Sequence, residues 1–321
     1  MKRTRLAFTL AGLLALSGAA AAQDWPTRPI RVLVGFGAGG GTDIVARIVA
    51  QPLSDLLGQT VVIENKPGAG STIASDAVAK ADKDGYTAAM LSAGHTVSAA
   101  MFKSLPYDSI KDFAPVGLVA DSCFVIVTRK ELPANDIKGL VALAKAEPGK
   151  LNFASVGLGS TQHFAGELLK QMTSIDVKHI PYRGTPAVVT ALRSNEVDYA
   201  VELVHAVIGQ VQAGELKILA VASPERWPSI PDVPTVAESG VPGYEVATWY
   251  GFVFPAGTPA AIIDKASKSL KEVLARQTVR DQLAKAGALA RFSTPVEFTK
   301  HLGDEIAKWK AVRDQAGITA N

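Results

Sequence analysis

The stretches GFGAGGGTD at residues 35–43 and ASVGLGSTQH at residues 154–163 decide the fold predicted for this chain. Each glycine-rich loop follows an apolar, β-branched run and precedes a segment whose apolar residues recur at helical spacing. Each therefore joins a strand to a helix N-terminus, where the first N–H groups lack acceptors and carry partial positive charge. Two such loops facing each other across a cleft would bind a small carboxylate without any Arg or Lys.

Strand-like and helix-like segments alternate on both sides of these loops, which is typical of βαβ units and parallel sheets. We therefore predict an α/β fold with two lobes, each a mostly parallel sheet flanked by helices. Strands at 113–120 and 124–130 lead into the second lobe, and a strand at 246–255 leads back. The predicted bounds are residues 23–121 with 251–321 for lobe 1, and residues 122–250 for lobe 2.

Local patterns predict where some elements begin and end. The run at 86–94 predicts a strand that ends at His95. Thr258 is predicted to cap a helix that has Pro259 in its first turn. The sequence Thr294-Pro295-Val296-Glu297 has the pattern of a capping box and opens the last helix.

The N-terminus predicts export. Lys2, Arg3 and Arg5 precede an apolar core at 6–16 and a small-residue site, so we predict a signal peptide over residues 1–22, cleaved after Ala22. The apolar core is too short to span a bilayer, and no second one follows, which argues against membrane insertion.

Charge excludes two classes of partner. Three of the 33 basic residues leave with the signal peptide, which leaves 30 basic against 30 acidic residues. A formally neutral chain has no basic field to recruit nucleic acid or an anionic membrane surface.

Cysteine and histidine usage argues against a disulfide and a metal site. Cys123 is the only cysteine and lies in an apolar run, where it is predicted to be buried. The five histidines show none of the spacings of zinc motifs, and no calcium loop is present. We predict no metal and no cofactor.

The first loop also permits a dinucleotide-binding interpretation. Residues 35–40 match G-x-G-x-x-G after a strand, and Glu64 lies where a ribose-binding acid is expected. Export to a compartment without diffusible nicotinamide cofactor argues against it, and so does the second glycine loop. Within the first loop, Thr42 or Asp43 is predicted to cap the helix.

The second loop permits a catalytic interpretation, with Ser160 as nucleophile and His163 as base. The GxSxG elbow is absent and no orienting acid is identifiable, so we predict no catalytic residues and no enzyme. Ser160 or Thr161 is instead predicted to cap the following helix.

Ligands of open α/β sheets bind at the carboxyl ends of strands, which places both loops and several other strand ends on one rim. The residues predicted to bind ligand are Phe36, Gly39, Gly40, Thr42, Asp43, Ser92, His95, Gly157, Gly159, Ser160, Thr161, His163, Tyr182, Thr185 and Glu202.

Nearly the whole chain after the signal peptide resembles the Bug family, the periplasmic receptors of tripartite tricarboxylate transporters. The matching segments are, in order, WPTRPIRVLVGF, GGGTDIVAR, LGQTVVIENKPGAGS, KDGYT, NFASVGLGSTQH, GELLK, IPYRGTPA and PERWPSIPDVPTVAESGVPGYEVATWYGFVFPAGTP. The resemblance implies a Venus-flytrap fold that holds a small carboxylate between its lobes through loop amides and ordered water.

By position, the resemblance assigns Gly39, Gly40, Thr42 and Asp43 to the first-lobe loop and Gly159, Ser160 and His163 to the second. The chain departs from the family pattern at Ala38, where a proline is usual, and at Glu202, where an aspartate is usual. Both departures are expected to alter ligand choice.

The predicted function is that of a monomeric periplasmic solute-binding protein that captures a small organic acid by lobe closure. Its predicted partner is the membrane part of a tripartite tricarboxylate-type transporter. Alternatives are an exported receptor that serves a sensor protein, and a dinucleotide-dependent enzyme that uses the 35–40 motif.

Overall fold

Strands and α-helices alternate along residues 25–315, the part of the chain that the computed structural model describes. The predicted signal peptide and its cleavage site lie outside the described residues. The strands are β1 Ile30–Val34, β2 Val61–Asn65, β3 Thr87–Ser92, β4 Phe113–Arg129, β5 Asn152–Ser155, β6 Lys178–Pro181, β7 Tyr199–Leu203, β8 Leu216–Val221, β9 Ala247–Pro255 and β10 Ala288–Ala290. The helices are α1 Gly41–Leu57, α2 Thr72–Ala79, α3 Ala93–Met101, α4 Ile137–Ala146, α5 Thr161–Thr173, α6 Thr185–Arg193, α7 Val204–Gln212, α8 Ala260–Ala275, α9 Gln277–Lys285 and α10 Pro295–Gln315.

The strands form one continuous path in the order β2-β1-β3-β9-β4-β7-β5-β6, with β8 and β10 also paired to β4. At each end of this path the strands are parallel: β1 pairs with β2 and β3, and β5 pairs with β6 and β7. The inner residues of β1 are fully buried, as expected for parallel strands covered by helices on both faces. The predicted α/β, two-lobed architecture is confirmed.

The two halves are joined by β4, which is a single strand of 17 residues rather than the two strands predicted. Its first part, Phe113–Cys123, pairs with β9, and its second part, from Phe124, pairs with β7 and β8. The residues between the two predicted strands include the polar pair Asp121 and Ser122. In the structure Asp121 pairs with Arg291, and the Ser122 hydroxyl donates to a backbone carbonyl, so the strand continues through them.

Hydrophobic cores lie on both halves, and α10 contributes to both of them. Phe298 and Leu302 pack in the core of the first half, whereas Trp309, two turns later, packs in the core of the second. All three side chains are at most 1% exposed. Together with the β4–β9 pair, this helix connects the lobes on the side where the chain crosses between them.

Two predicted element ends were wrong. The strand predicted at 86–94 ends at Ser92 and α3 follows at once, so His95 lies in the first turn of a helix. The apolar run passes from strand to helix without a polar break, and periodicity did not separate them. Thr258 does not cap α8: its hydroxyl donates to the Pro255 carbonyl at 2.8 Å, and Pro259 occupies the N-cap.

The capping box of α10 is confirmed. The Thr294 amide donates to Glu297 Oε2 at 2.8 Å, and the Glu297 amide donates to Thr294 Oγ1 at 3.3 Å. Among residues 25–315, none of the helices has the length and apolar character needed to cross a membrane.

Candidate ligand-binding cleft

A cavity of about 630 Å³ lies between the two halves of the sheet, within the size range of small-molecule sites. Both glycine loops line it. The predicted residues in its lining are Phe36, Gly40, Thr42, Ser92, Gly157, Ser160, Thr161, Tyr182 and Thr185. Carboxyl ends of strands from both halves therefore meet at one cavity, as the topology rule requires.

The first loop presents the N-terminus of α1 to the cavity. Gly40 is the N-cap in an extended conformation without a side-chain cap, so neither Thr42 nor Asp43 occupies the predicted cap position. Gly41 and Thr42 are the first two helical residues, and both line the cavity. The first N–H groups of a helix have no intrahelical acceptor, so these amides are available to a ligand.

Asp43 and Gly39 lie outside the lining because they bind each other. The Gly39 amide donates to Asp43 Oδ2 at 2.9 Å, and Arg47 and Asn65 donate to the same carboxylate. Burial works to raise the pKa of Asp43, but the hydrogen bonds from Arg47, Gly39 and Asn65 outweigh it and lower that pKa. Asp43 therefore holds the loop in shape instead of facing a ligand.

The second loop presents the N-terminus of α5. Ser160 is the N-cap, as predicted: its hydroxyl accepts from the His163 amide at 3.2 Å and donates to the Gly157 carbonyl at 2.7 Å. Gly159 and His163 lie outside the lining, and the Gly159 amide points to His163 Nδ1 at 3.4 Å. The His163 ring stacks on His179 with ring centres 4.1 Å apart, and burial lowers its pKa.

A third helix N-terminus, that of α6, also faces the cavity through Gly184, Thr185 and Pro186. Arg183 precedes it and, among residues 25–315, is the one charged side chain in the cavity lining. Sequence reasoning missed Arg183 because it assigned anion binding to main-chain donors alone. The segment IPYRGTPA indicated this residue, because its arginine directly precedes the predicted start of a helix.

Glu202 lies beneath the cavity rather than in its lining. It is fully buried at the carboxyl end of β7, and Oε2 accepts from Thr185 Oγ1 and from the Leu203 amide, both at 3.2 Å. Burial raises the pKa of Glu202 to about 7, against the opposing effect of these hydrogen bonds.

The prediction that His95 lines the site was wrong. The side chain is fully buried under α3, where Nδ1 lies 3.0 Å from the Ser75 hydroxyl and Nε2 lies 2.9 Å from the Ser109 carbonyl. Its ring also stacks on Tyr107. Both ring nitrogens are used inside the protein, and burial lowers the pKa of His95 to about 4.

The two halves touch across the cavity at glycines. A Cβ placed on Gly41 would lie 2.6 Å from the Tyr250 hydroxyl, 2.7 Å from Leu203 Cδ1 and 3.0 Å from His205 Cε1. A Cβ on Gly70 would lie 3.1 Å from the carbonyl oxygen of Gly159. Sequence reasoning missed Gly41 and Gly70, whose lack of a side chain allows this approach. The two halves of the sheet therefore contact each other beside the cavity.

The dinucleotide interpretation and a metal site each depend on particular acidic or metal-ligating side chains. Glu64, the acid in the dinucleotide interpretation, pairs with Arg31 at 2.8 Å. Within residues 25–315 no cluster of three or more His, Cys, Asp or Glu side chains could hold a metal ion. Cys123 is buried, as predicted, and burial raises the pKa of its thiol.

Comparison with known proteins agrees with this architecture. The chain is 36% identical over 322 residues to Protein BugT of Bordetella pertussis, covering 99% of each chain. R. palustris Rpa4515, solved with adipate, superposes with a TM-score of 0.88 at 34% identity, covering 92% of this chain and 99% of the other. MatC (Rpa3494) from Rhodopseudomonas palustris, solved with bound malate, gives a TM-score of 0.84 at 34% identity, covering 90% of this chain and 99% of the other.

A family model described as "Tripartite tricarboxylate transporter family receptor" matches residues 45–318. That match spans both halves of the sheet and all but the first of the cavity-lining loops. Three helix N-termini and Arg183 surround the cavity between the two lobes. Because this family model and the likeness to BugT span most of the chain, the chain belongs to the family of tripartite tricarboxylate transporter receptors.

Proposed function

We propose that this protein is a periplasmic receptor that captures a small dicarboxylate between its lobes and delivers it to the membrane subunits of a tripartite tricarboxylate-type transporter. One observation carries the proposal. The cavity is lined by the N-termini of α1, α5 and α6 and by Arg183, and no acidic side chain of the described residues belongs to its lining.

Each helix N-terminus carries roughly half a positive charge and stabilises an anion by about 0.3–1 kcal/mol, or up to ~2 kcal/mol where partly buried. Three termini and a guanidinium at one cavity therefore favour a ligand with more than one carboxylate. Main-chain amides of the glycine loops bind one carboxylate, and the Arg183 guanidinium donates to a second in bidentate fashion.

The relatives support this ligand class. Rpa4515 was solved with adipate and MatC with malate, which are both dicarboxylates. Their likeness covers at least 90% of this chain. We extend the class of dicarboxylates to this protein, but we assign it neither adipate nor malate in particular.

Capture would proceed by a shift in population from open to closed lobes. A ligand that contacts both glycine loops binds the closed form better than the open one, and this difference drives closure. We propose residues 23–121 with 251–321 as one lobe and residues 122–250 as the other, hinged at the β4–β9 crossing. The predicted ligand contacts that line the cavity remain our proposed binding residues.

A thermal-shift screen of adipate, malate and other dicarboxylates, followed by calorimetry, tests this function. Ligand at one hundred times its dissociation constant stabilises the native state by about 2.7 kcal/mol, which raises the melting temperature measurably. If no dicarboxylate shifts the melting temperature or binds in calorimetry, the proposal is wrong.

Two arginine variants sharpen that test. Arg183→Gln removes the charge at the cavity and is expected to weaken dicarboxylate binding about tenfold or more, as loss of a charge-assisted hydrogen bond does. Arg193→Gln removes a charge at the opposite end of α6, where Arg193 pairs with Glu215, and should bind as the wild type does. Partnership with a transporter is tested by uptake assays in cells. Export is tested by N-terminal sequencing of the exported protein, which we expect to begin at the residue that follows Ala22.

A further inference from the structure

Glu202 is a buried carboxyl group whose oxygen atoms are unequally satisfied. Oε2 accepts two hydrogen bonds, from Thr185 and from the Leu203 amide, whereas Oε1 has no partner among the described residues. The side chain is 0% exposed. A carboxylate buried without a cation is costly, so such a group is stabilised by taking a proton.

The residues around Glu202 connect it to the cavity. Thr185 and Leu203, which each donate a hydrogen bond to Glu202, both line the cavity. Glu202 therefore lies one residue layer below the surface that a ligand would touch, at the base of the α6 N-terminus.

Charged side chains on the surrounding elements do not compensate it. Those on α5, α6 and β4 are paired elsewhere: Lys170 with Glu167, Arg193 with Glu215, and Arg129 with Asp198. Asp121 of β4 also has a partner, Arg291, and the other titratable or charged groups on or next to β7, these elements and α7 include His163, His179, His205, Cys123, Arg183, Tyr182 and Tyr199. None of them hydrogen bonds to Glu202 within the described residues.

We propose that Glu202 takes up a proton from solvent when an anionic ligand enters the cleft, so that carboxylate capture is linked to protonation of this residue. This inference rests on the proposed carboxylate function. Glu202 acts as a positioning residue: it contacts Thr185 and Leu203 and not the ligand itself. The proton occupies the carboxyl oxygen that lacks a partner, and no bond of the ligand changes.

The direction of the effect follows from electrostatics. Burial holds the pKa of Glu202 at about 7, so the ligand-free protein is half protonated there near neutral pH. A carboxylate placed above it adds a like charge that raises this pKa further. Protonation removes the negative charge beneath the cleft, so affinity rises as pH falls.

The size of the effect can be worked out. With a ligand-bound pKa of ~9, binding at pH 7 should take up about half a proton, and binding at pH 8 about eight-tenths. If the ligand-bound pKa is ~9 or higher, affinity at pH 8 is about tenfold weaker than at pH 6.

The test is calorimetry with adipate and malate at pH 6, 7 and 8, in buffer pairs with different ionisation enthalpies. Glu202→Gln keeps an uncharged group of the same shape and should abolish proton uptake and flatten the pH profile. His163→Gln and His205→Gln remove other groups able to take up a proton. Both variants should retain the proton uptake and the pH profile of the wild type. Circular dichroism and melting temperature establish that each variant is folded.

The outcomes separate this inference from the function on which it rests. Wild-type protein that binds dicarboxylates without proton uptake overturns the inference alone, whether or not Glu202→Gln folds. Uptake that persists in Glu202→Gln, or that disappears in His163→Gln or His205→Gln, also overturns it. If no carboxylate binds the wild type at any pH, the proposed function fails and the inference fails with it.

Discussion

Replacing Gly41 by alanine tests whether ligand binding depends on the close approach of the two lobes. Gly41 is the first residue of α1 and has a helical backbone, so alanine is compatible with its conformation. The new methyl group would lie 2.6 Å from the Tyr250 hydroxyl and 2.7 Å from Leu203 Cδ1. Leu203 belongs to the second half of the sheet, so the contact with it opposes closure, whereas Tyr250 lies on β9 beside β3 and packs in the same core as α1.

The magnitude follows from two opposing effects. Adding a methyl group to a well-packed contact costs about 1–3 kcal/mol, which corresponds to roughly 5- to 150-fold weaker ligand binding. In the open form the contact with Leu203 is relieved, and the gain of up to about 1 kcal/mol from alanine over glycine in a helix offsets part of the remaining contact with Tyr250. We therefore expect weaker ligand binding, with a smaller effect on the stability of the ligand-free protein.

The assay is calorimetry with a dicarboxylate that binds the wild type, together with denaturant unfolding of the free protein. Gly209→Ala is the matched control, because Gly209 is an exposed helical residue and a Cβ added there would meet no atom within 4 Å. It should bind ligand as the wild type does. Wild-type affinity in Gly41→Ala would refute the reasoning, as would equal weakening in the control.

Three further predictions concern stability. Asp43→Ala leaves the Gly39 amide without its acceptor and Asn65 Nδ2 with the Phe36 carbonyl alone, and should destabilise the protein by about 1–3 kcal/mol in urea unfolding; an unchanged midpoint would contradict this role. Burial lowers the pKa of His95 to about 4, against 6.5 in the unfolded chain. The neutral ring's contribution to the unfolding free energy is therefore complete above pH 6.5 and is lost as the pH falls toward 4. Unfolding free energy should drop by about 2.5 kcal/mol between pH 7 and pH 4.5 from this group, and His95→Gln should show a correspondingly flatter profile; an identical slope would count against it. Thr294→Ala should cost about 1 kcal/mol by removing the α10 cap while leaving ligand affinity unchanged, and a wild-type midpoint would disprove the cap's contribution.

Elements whose signals are local were predicted well. Strand β1, the helices after both glycine loops, the Ser160 cap and the Thr294–Glu297 capping box agree with the structure. Their determinants are side-chain periodicity and hydrogen bonds within a few residues, which are visible in the sequence. The start of α3 was missed because its residues remain apolar across the boundary with β3.

The direction in which side chains face was predicted less well. His95 and Asp43 were both expected at the cleft, yet His95 bonds to Ser75 and the Ser109 carbonyl, and Asp43 bonds to Gly39 and Arg47. Proximity to a strand end was the basis for placing these residues at the cleft. It did not reveal which internal partners would occupy their polar atoms.

The sequence by itself determined the α/β class, the two glycine loops with helices behind them, and membership of a receptor family. These follow from local periodicity, from helix-start chemistry and from matching segments along the whole chain. Only the tertiary structure decided that Arg183 and Gly41 meet the cavity, that His95 is buried away from it, and that Glu202 lies beneath it without a cation among its described partners. The physical reason is that desolvation and contacts between lobes depend on how β4 and β9 cross, which brings together residues more than a hundred positions apart.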